Sequence, residues 1–490
     1  MRNPVFFKSN GGNQYFFETN KKLLHYCSDS LKEIIETNGK EFIQKNFNNS
    51  QKENYDFELY NNMKAQGYFI QQKRVNNDVL ITRNHILDAI SNINQLTFET
   101  TEKCNLNCKY CSYGNLYNDY SKRTNKDMSF DSAKVIIDYF KEFWDNKANK
   151  SINGLIFISF YGGEPLINFN FIKNTVDYIK SLNIKRQIQF SITTNAILIN
   201  KYIDFLVENN FNILISIDGD KTNNSYRTFS NGKHSFDKLR KNIINIKEKY
   251  PIYFEKRVNF NSVIHNRNSV AEVHDYIAVE FGKTSNISEI RSTGIHPEKL
   301  NEFKRLFNSV NKSLNESNNK ESIINDNFIK LSTIENLALF LHKYGGYNYQ
   351  DYSNIKEKTI PLQKTPSGTC VPFSKKVFIT VNGLLLPCEN VDHKYHLGKI
   401  VLGKVEINLE EIVSFYKRKF AKLKNKCDKC YLNEACALCM YNMDIDLDGD
   451  FICKSSVGLE AFKKYLSAQI SKIEESPYLY ERVMKNVSIE

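Results

Sequence analysis

The stretch CNLNCKYCSYG sets Cys104, Cys108 and Cys111 within eight positions, in a chain with no cysteine between Cys27 and Cys104. Three thiols suit neither a set of disulfide pairs nor a four-ligand structural zinc site. They do suit an iron–sulfur cubane in which the protein binds three irons and the fourth stays open for a small chelating molecule. A second group lies towards the other end: Cys370, Cys388, Cys427, Cys430, Cys436, Cys439 and Cys453. Within it, CDKCYLNEACALC carries two C-x-x-C pairs. One structural zinc would use those four thiols and leave Cys370, Cys388 and Cys453 without a purpose. Cys27 is the leftover thiol, expected to pack rather than to ligate.

Reactive groups need rigid elements to carry them. From about residue 94 buried-looking strands alternate with amphipathic helices. QLTFET, GLIFISF, QIQFSIT, FNILISID, KRVNFNSVI and ISEIRS read as six strands; FDSAKVIIDYFKEFW, NFIKNTVDYIKSL and SFDKLRKNIINIKEKY read as helices between them. Repeated βα units predict a parallel sheet, open or closed into a barrel. Sites in such folds sit at the C-terminal ends of the strands, and the three-cysteine loop begins just after the first strand.

Residues 1–93 predict a small α+β unit. NQYFFET and KLLHYC, separated by NKK, form a hairpin. Ser30 and Glu33 form a capping box for the next helix, and Asn38-Gly39 stops it. A helical pattern follows through FELYNNMKAQGYF. Residues 94–300 hold the strand–helix repeats and 301–360 a polar helical bridge. Residues 361–460 are loop-rich and hold the seven later cysteines, and 461–490 form a C-terminal helix.

At 490 residues, 41% hydrophobic and 13% aromatic, the chain has material for two to four packed domains. No run of about 18 uncharged apolar residues is present, which excludes a helical membrane span. The start, MRNPVFFKSNGGNQ, lacks a secretory signal. The expected location is the cytoplasm, where clustered thiols stay reduced and read as metal sites. The net charge of +12 is spread along the chain without a basic block or a nucleic-acid motif. No nucleic-acid partner is expected, and an acidic peptide suits the charge.

The first cysteine group resembles the radical SAM superfamily. There the open iron binds the amino and carboxylate groups of S-adenosylmethionine, and one electron from the cluster cleaves the sulfonium to give a 5′-deoxyadenosyl radical. FYGGEPL, after the second strand, resembles the family's glycine-rich motif, which implies that Gly162, Gly163 and Glu164 hold the methionine amino group. SITTNAIL is similar to its third-strand segment, with Thr194 and Asn195 near the cofactor. SIDGDKTNNSYR is similar to its fourth: Ser216 would contact the ribose or methionine part and Arg227 would pair with the cofactor's carboxylate. Asn223-Asn224 departs from the usual His-Asp. Val263 would lie beside the adenine, with Tyr110 stacked near it.

The later group closely resembles the SPASM domain, which binds two auxiliary [4Fe–4S] clusters in peptide-modifying radical SAM enzymes. That resemblance implies an outer cluster on Cys427, Cys430, Cys436 and Cys453, and an inner one on Cys370, Cys388 and Cys439. The interval from Cys436 to Cys439 is two residues rather than the more usual three. No eighth cysteine precedes Cys370 in PLQKTPSGTC, so the inner cluster would keep an open iron.

The resemblance implies an α/β fold: a partial (β/α)6 TIM-type radical SAM barrel, a small winged-helix-like N-terminal domain and a SPASM domain. The implied activity is cross-linking, C–C or thioether, of a ribosomally made precursor peptide whose leader pairs with the N-terminal domain. Three [4Fe–4S] clusters, S-adenosylmethionine and an electron donor such as flavodoxin or ferredoxin would serve it. One alternative is a sulfatase-type maturase forming formylglycine, against which stand Glu389, where those enzymes place an Asp base, and the missing eighth cysteine. The other is a non-enzymatic iron–sulfur electron-transfer module, which leaves the Gly-Gly-Glu motif and Arg227 unexplained.

Overall fold

A computed structural model describes residues 4–19, 21–40, 51–69, 81–117, 123–144, 154–327, 332–344 and 365–487. The expected bridge over 301–360 lies outside the described residues from 345 onward.

Val5–Lys8 (β1), Gln14–Glu18 (β2) and Leu23–Tyr26 (β3) form an antiparallel sheet with β2 in the middle. β2 and β3 are the expected hairpin, and β1 adds a third strand. The next helix, Asp29–Glu36, is capped by Ser28, whose hydroxyl accepts from the Leu31 N–H at 3.1 Å. This corrects the expected box at Ser30, whose hydroxyl is drawn to the buried Asp56 carboxylate instead. Asn38 and Gly39, both left-handed, end the helix as expected. Cys27 is buried with Phe16, Leu31, Ile34 and Tyr60, a packing residue.

Gln95–Thr101 (β4), Ile156–Gly162 (β5), Ile188–Thr194 (β6), Asn212–Ser216 (β7), Val258–Ile264 (β8) and Ser285–Glu289 (β9) lie side by side, all parallel. β9 begins ahead of the expected ISEIRS, because Ser285 already pairs with Phe260 and Ile290 turns into the core. The helices Phe130–Trp144, Phe169–Ser181 and Phe236–Lys249 stand where expected, and Ile199–Glu208 and Val270–Phe281 complete the alternation. Phe130–Trp144 shows why: Ala133, Ile136, Ile137, Phe140 and Trp144 recur at helical spacing and are all buried.

The strands are two-faced. Leu96 and Phe98, Ile158 and Phe160, Phe190 and Ile192, Ile213 and Ile215 are buried under the helices. The residues between them are mostly polar and face the other way. Ser159 and Ser191 hydroxyls meet at 2.7 Å across β5 and β6, Gln95 donates to Ser159 at 3.1 Å, and Arg257 donates to both Gln189 and Asn212. The inner face of the sheet is therefore polar, with its groups satisfied by one another.

Val377–Ile379 (β10) pairs parallel with β4, and Leu384–Leu386 (β11), Gly398–Val401 (β12) and Lys404–Glu406 (β13) follow antiparallel. The late cysteine region thus extends the central sheet to ten strands. The expected single C-terminal helix is two, Leu459–Glu475 and Pro477–Asn486, because Pro477 cannot continue the hydrogen-bond ladder. The first of them packs on β1 and β2: Tyr15 donates to Glu474 at 2.6 Å and the Asn10 N–H to Ser471 at 2.8 Å. Among the described residues no helix is long and apolar enough to cross a membrane.

Candidate active site

The end of β5 clamps the root of the three-cysteine loop. The Gly163 N–H donates to the Thr101 carbonyl and the Glu164 N–H to the Lys103 carbonyl, both at 2.8 Å. A Cβ on Gly163 would lie 2.0 Å from the Lys103 carbonyl oxygen, and Gly162 has φ +134°. The glycines are needed for this backbone-to-backbone approach, not only for approach to a cofactor. On its far side the loop is tied to the fourth-strand segment by Asn107 N–H to Thr228 O at 2.7 Å and Lys109 N–H to Tyr226 O at 3.2 Å.

Glu164 is buried beside the loop. Its carboxylate accepts from the Thr194 hydroxyl at 2.7 Å, the Asn195 N–H at 2.8 Å and the Leu166 N–H at 3.2 Å. Thr194 and Asn195 therefore act by holding Glu164, and the Asn195 amide also donates to Asn105 at 2.7 Å. Burial pushes the Glu164 carboxyl up to about 7 against the lowering effect of these donors. Among the described residues no cationic side chain pairs with it. The carboxylate keeps one acceptor site for a further donor such as an ammonium.

A second network centres on Asp218, a residue the sequence reading did not single out. Arg227 grips it bidentately through Nε and Nη2, both at 2.9 Å. The Tyr110 hydroxyl donates to the same carboxylate, and so does the Val263 N–H at 3.0 Å. In this structure the Arg227 fork engages Asp218, because a buried guanidinium requires a buried anion. Tyr110 is buried, with its hydroxyl committed to Asp218 and Arg227 lying over its ring. Asn224, at the unusual Asn-Asn pair, accepts from the Asp218 N–H at 3.1 Å. Ser216 ends β7, half-buried, two residues before this network.

The three thiols lie between the networks: Cys104 feels the charge of Glu164 and Cys111, and Cys108 that of Arg227, Cys111 and Asp218. Cys104 is exposed at the root of the loop, and Cys108 and Cys111 are half-buried. Among the described residues no three Cys, His, Asp or Glu side chains stand close enough for a single metal ion. A donor set of thiols alone, without carboxylate or imidazole, fits an iron–sulfur cluster.

The later cysteines fall into two sets. Cys427 lies in charge range of Cys436, Cys453 and Cys430. Cys439 lies in range of Cys370, and Cys388 in range of Cys439. The buried Tyr416 feels Cys439, Cys370 and Cys388 together. The zinc arrangement would need Cys439 with Cys427, Cys430 and Cys436, and the fold places it with the other set. Glu389, after Cys388, pairs with Lys376 at 2.6 Å, and its charge reaches Tyr161 near the end of β5.

Residues 98–279 match the Radical SAM superfamily. An uncharacterised protein of Methanocaldococcus jannaschii is 31% identical over 301 residues, which is 57% of this chain and 96% of the relative. The chain belongs to the radical SAM superfamily. The radical SAM cyclopropyl synthase TigE of Paramaledivibacter caminithermalis is 26% identical over 362 residues, 71% of this chain and 68% of that protein. The structure of native anSMEcpe with bound AdoMet superposes with a TM-score of 0.52 at 19% identity, covering 80% of this chain and all of that one. The last likeness is one of fold. As a radical SAM enzyme the protein uses a [4Fe–4S] cluster and S-adenosylmethionine, and the matched segment contains both networks around Cys104, Cys108 and Cys111. The electron-transfer module is thereby set aside.

Proposed function

We propose that the protein is a SPASM-type radical SAM maturase that closes a C–C or thioether cross-link in a ribosomally synthesised precursor peptide. The reading rests on one observation above others: seven late cysteines sort into two sets beside the edge of the same sheet that carries the three-cysteine loop. Cys104, Cys108 and Cys111 hold the site cluster. With S-adenosylmethionine bound, that cluster supplies a hydrogen-abstracting radical. Glu164, fixed by Thr194 and Asn195, takes the cofactor's amino group, and Gly162 and Gly163 keep the loop in place. Ser216 and Val263 line the strand ends, and Asp218 with Arg227 and Tyr110 forms the wall behind them.

Cys427, Cys430, Cys436 and Cys453 would hold an outer auxiliary cluster, and Cys370, Cys388 and Cys439 an inner one, to carry away the electron left after cross-linking. A flavodoxin- or ferredoxin-like donor would reduce the site cluster in the cytoplasm. Among the described residues β3 pairs only with β2, so its other edge offers backbone pairing to a leader peptide, and the +12 charge suits an acidic one.

Two measurements test this. Anaerobically reconstituted protein should hold three clusters, and changing Cys104, Cys108 and Cys111 to Ala should remove about one third of the iron. Co-expression with short open reading frames beside the gene should give a peptide lighter by two hydrogens per cross-link. Unchanged mass in every such peptide counts against the maturase. The second reading, formylglycine formation, draws on the fold likeness to anSMEcpe, and the same mass assay decides it with a sulfatase-derived peptide.

A further inference from the structure

In the sequence the basic residues from Lys417 to Lys429 are broken up by apolar ones and form no block. The helix Leu409–Lys429 sorts them. Ile412, Val413, Tyr416, Phe420 and Leu423 are buried on one side. Arg418, Lys422, Lys426 and Lys429 stand exposed on the other. By helical geometry these four span an arc of about 80° and a length of about 17 Å. Their exposed neighbours on that face are short: Ser414, Ala421 and Asn425.

Two ordinary roles do not account for the stripe. A solvated face balances its charges, as the helix Phe236–Lys249 does: Arg240 pairs with Glu280 and Lys249 with Asp204. On Leu409–Lys429, Lys419 and Lys422 share Asp450, and Lys424 takes Asp428. Among the described residues no acidic side chain pairs with Arg418, Lys426 or Lys429. Cations also complement the negative end of a helix dipole, but that effect is confined to the last turn. Arg418 stands about three turns before it. The stripe does lead somewhere. Lys426 directly precedes Cys427, and Lys429 directly precedes Cys430. The Cys430 N–H donates to the Cys427 carbonyl at 3.1 Å, and both cysteines are half-buried.

We infer that the exposed face of Leu409–Lys429 is a docking surface for a small acidic one-electron carrier protein. The inference rests on the outer auxiliary cluster proposed above for Cys427, Cys430, Cys436 and Cys453. The step served is an electron exchange: that cluster is oxidised by one electron, the oxidised carrier is reduced by one, and no bond is made or broken. Transient redox complexes need only a small contact, below about 1,200 Å², which one helix face supplies. Opposite charges steer the encounter and set its rate. A polynucleotide would also meet the cations, but its phosphates give no reason for two thiols at the end of the stripe.

Stopped-flow mixing of the reduced, fully reconstituted chain with an oxidised plant-type [2Fe–2S] ferredoxin tests it, with iron counted on the same sample. Ferredoxin reduction by the wild type should slow about tenfold from low to high salt. Changing Arg418, Lys422, Lys426 and Lys429 together to Gln should slow it about tenfold at low salt and flatten the salt dependence. Dithionite-driven cleavage of S-adenosylmethionine should stay unchanged. Lys238→Gln with Lys241→Gln, exposed on Phe236–Lys249, should have no effect; an equal loss there assigns the effect to net charge and overturns the docking face. Should the four-site variant lose iron, Arg418→Gln with Lys422→Gln decides, with a drop of about threefold. A wild-type rate in the four-site variant at full iron, or in that pair, overturns the inference. So does a single-stranded oligonucleotide that binds the stripe while ferredoxin reduction is indifferent to salt. A wild-type chain holding iron for the site cluster alone overturns it through its premise, and the iron count separates that failure from the face's own.

Discussion

Glu164 is a carboxylate whose protonation decides what it can hold. Burial raises it from 4.5 to about 7, so in the folded chain it is protonated below that pH and ionised above it. A cationic amino group requires the ionised form, and S-adenosylmethionine affinity should therefore rise as pH passes upward through about 7. Stability has the opposite sign. A carboxyl whose folded pKa lies above its unfolded value contributes stability at low pH that is lost as pH climbs from about 4.5 through about 7. Equilibrium dialysis across that range checks the first statement, and Glu164→Gln should bind weakly with a flat profile. Arg227 belongs to the same scale with a different role. Removing it strands Asp218 as a buried, unpaired anion, at a cost of about 3–5 kcal/mol. Arg227→Ala should melt well below the wild type, and replacing Asp218 and Arg227 together with apolar residues should recover most of that loss. A single variant that denatures at the wild-type midpoint would remove Asp218 from the framework.

Strand β5 does more than carry a motif at its tip. Its last glycines hold the cysteine loop against β4, and the contact leaves no space for a methyl group. In Gly163→Ala the loop must move away from Lys103, with an overpacking cost of about 1–3 kcal/mol. Site-cluster iron should be lost while circular dichroism stays native; retention of full iron would show the clamp to be slack. The polar alternation of β4 to β8 is the other property at this scale. It puts serines, threonines and amides on the inner face, in register from strand to strand, where Gln95, Ser159 and Ser191 bond to one another.

The whole molecule is more tightly joined than its segments suggest. The N-terminal sheet is tied to the C-terminal helix through Tyr15 and Glu474, through Asn13 and Glu474 at 2.8 Å, and by Phe17 against Phe462. Deleting residues 1–90 uncovers that helix, so the truncated protein should aggregate, and the deletion is a poor assay of leader binding. A finer probe exists at β3. The Cys27 N–H bonds to the Gln14 carbonyl, so by antiparallel alternation the N–H groups of Leu24 and Tyr26 point to the open edge. Tyr26→Pro removes one such donor without breaking the ladder to β2. It should weaken leader binding about tenfold in a fluorescence-anisotropy titration and leave the melting temperature unchanged, if strand addition is the mode. Unaltered affinity would place the leader elsewhere.

The sequence by itself determined the chemistry and the secondary structure that carries it. Cysteine spacing along the chain is a local property, and so is the alternation of apolar residues that produced β4 to β8 and the helix Phe130–Trp144. Local rules also found the glycine pair and the capping region near Asp29. What they could not reach were relations between distant residues. Asp218 reads as a turn residue until Arg227, Tyr110 and Val263 converge on it. Gly163 reads as a cofactor glycine until Lys103 lies against it. Cys439 reads as the partner of Cys436, three positions away, until folding sets it beside Cys370 and Cys388. Strand β10, three residues long, gives almost no signal and gains its place only by pairing with β4, some 280 residues earlier in the chain. Burial and pairing across the sheet are collective, and they decide which of several chemically able residues face one another.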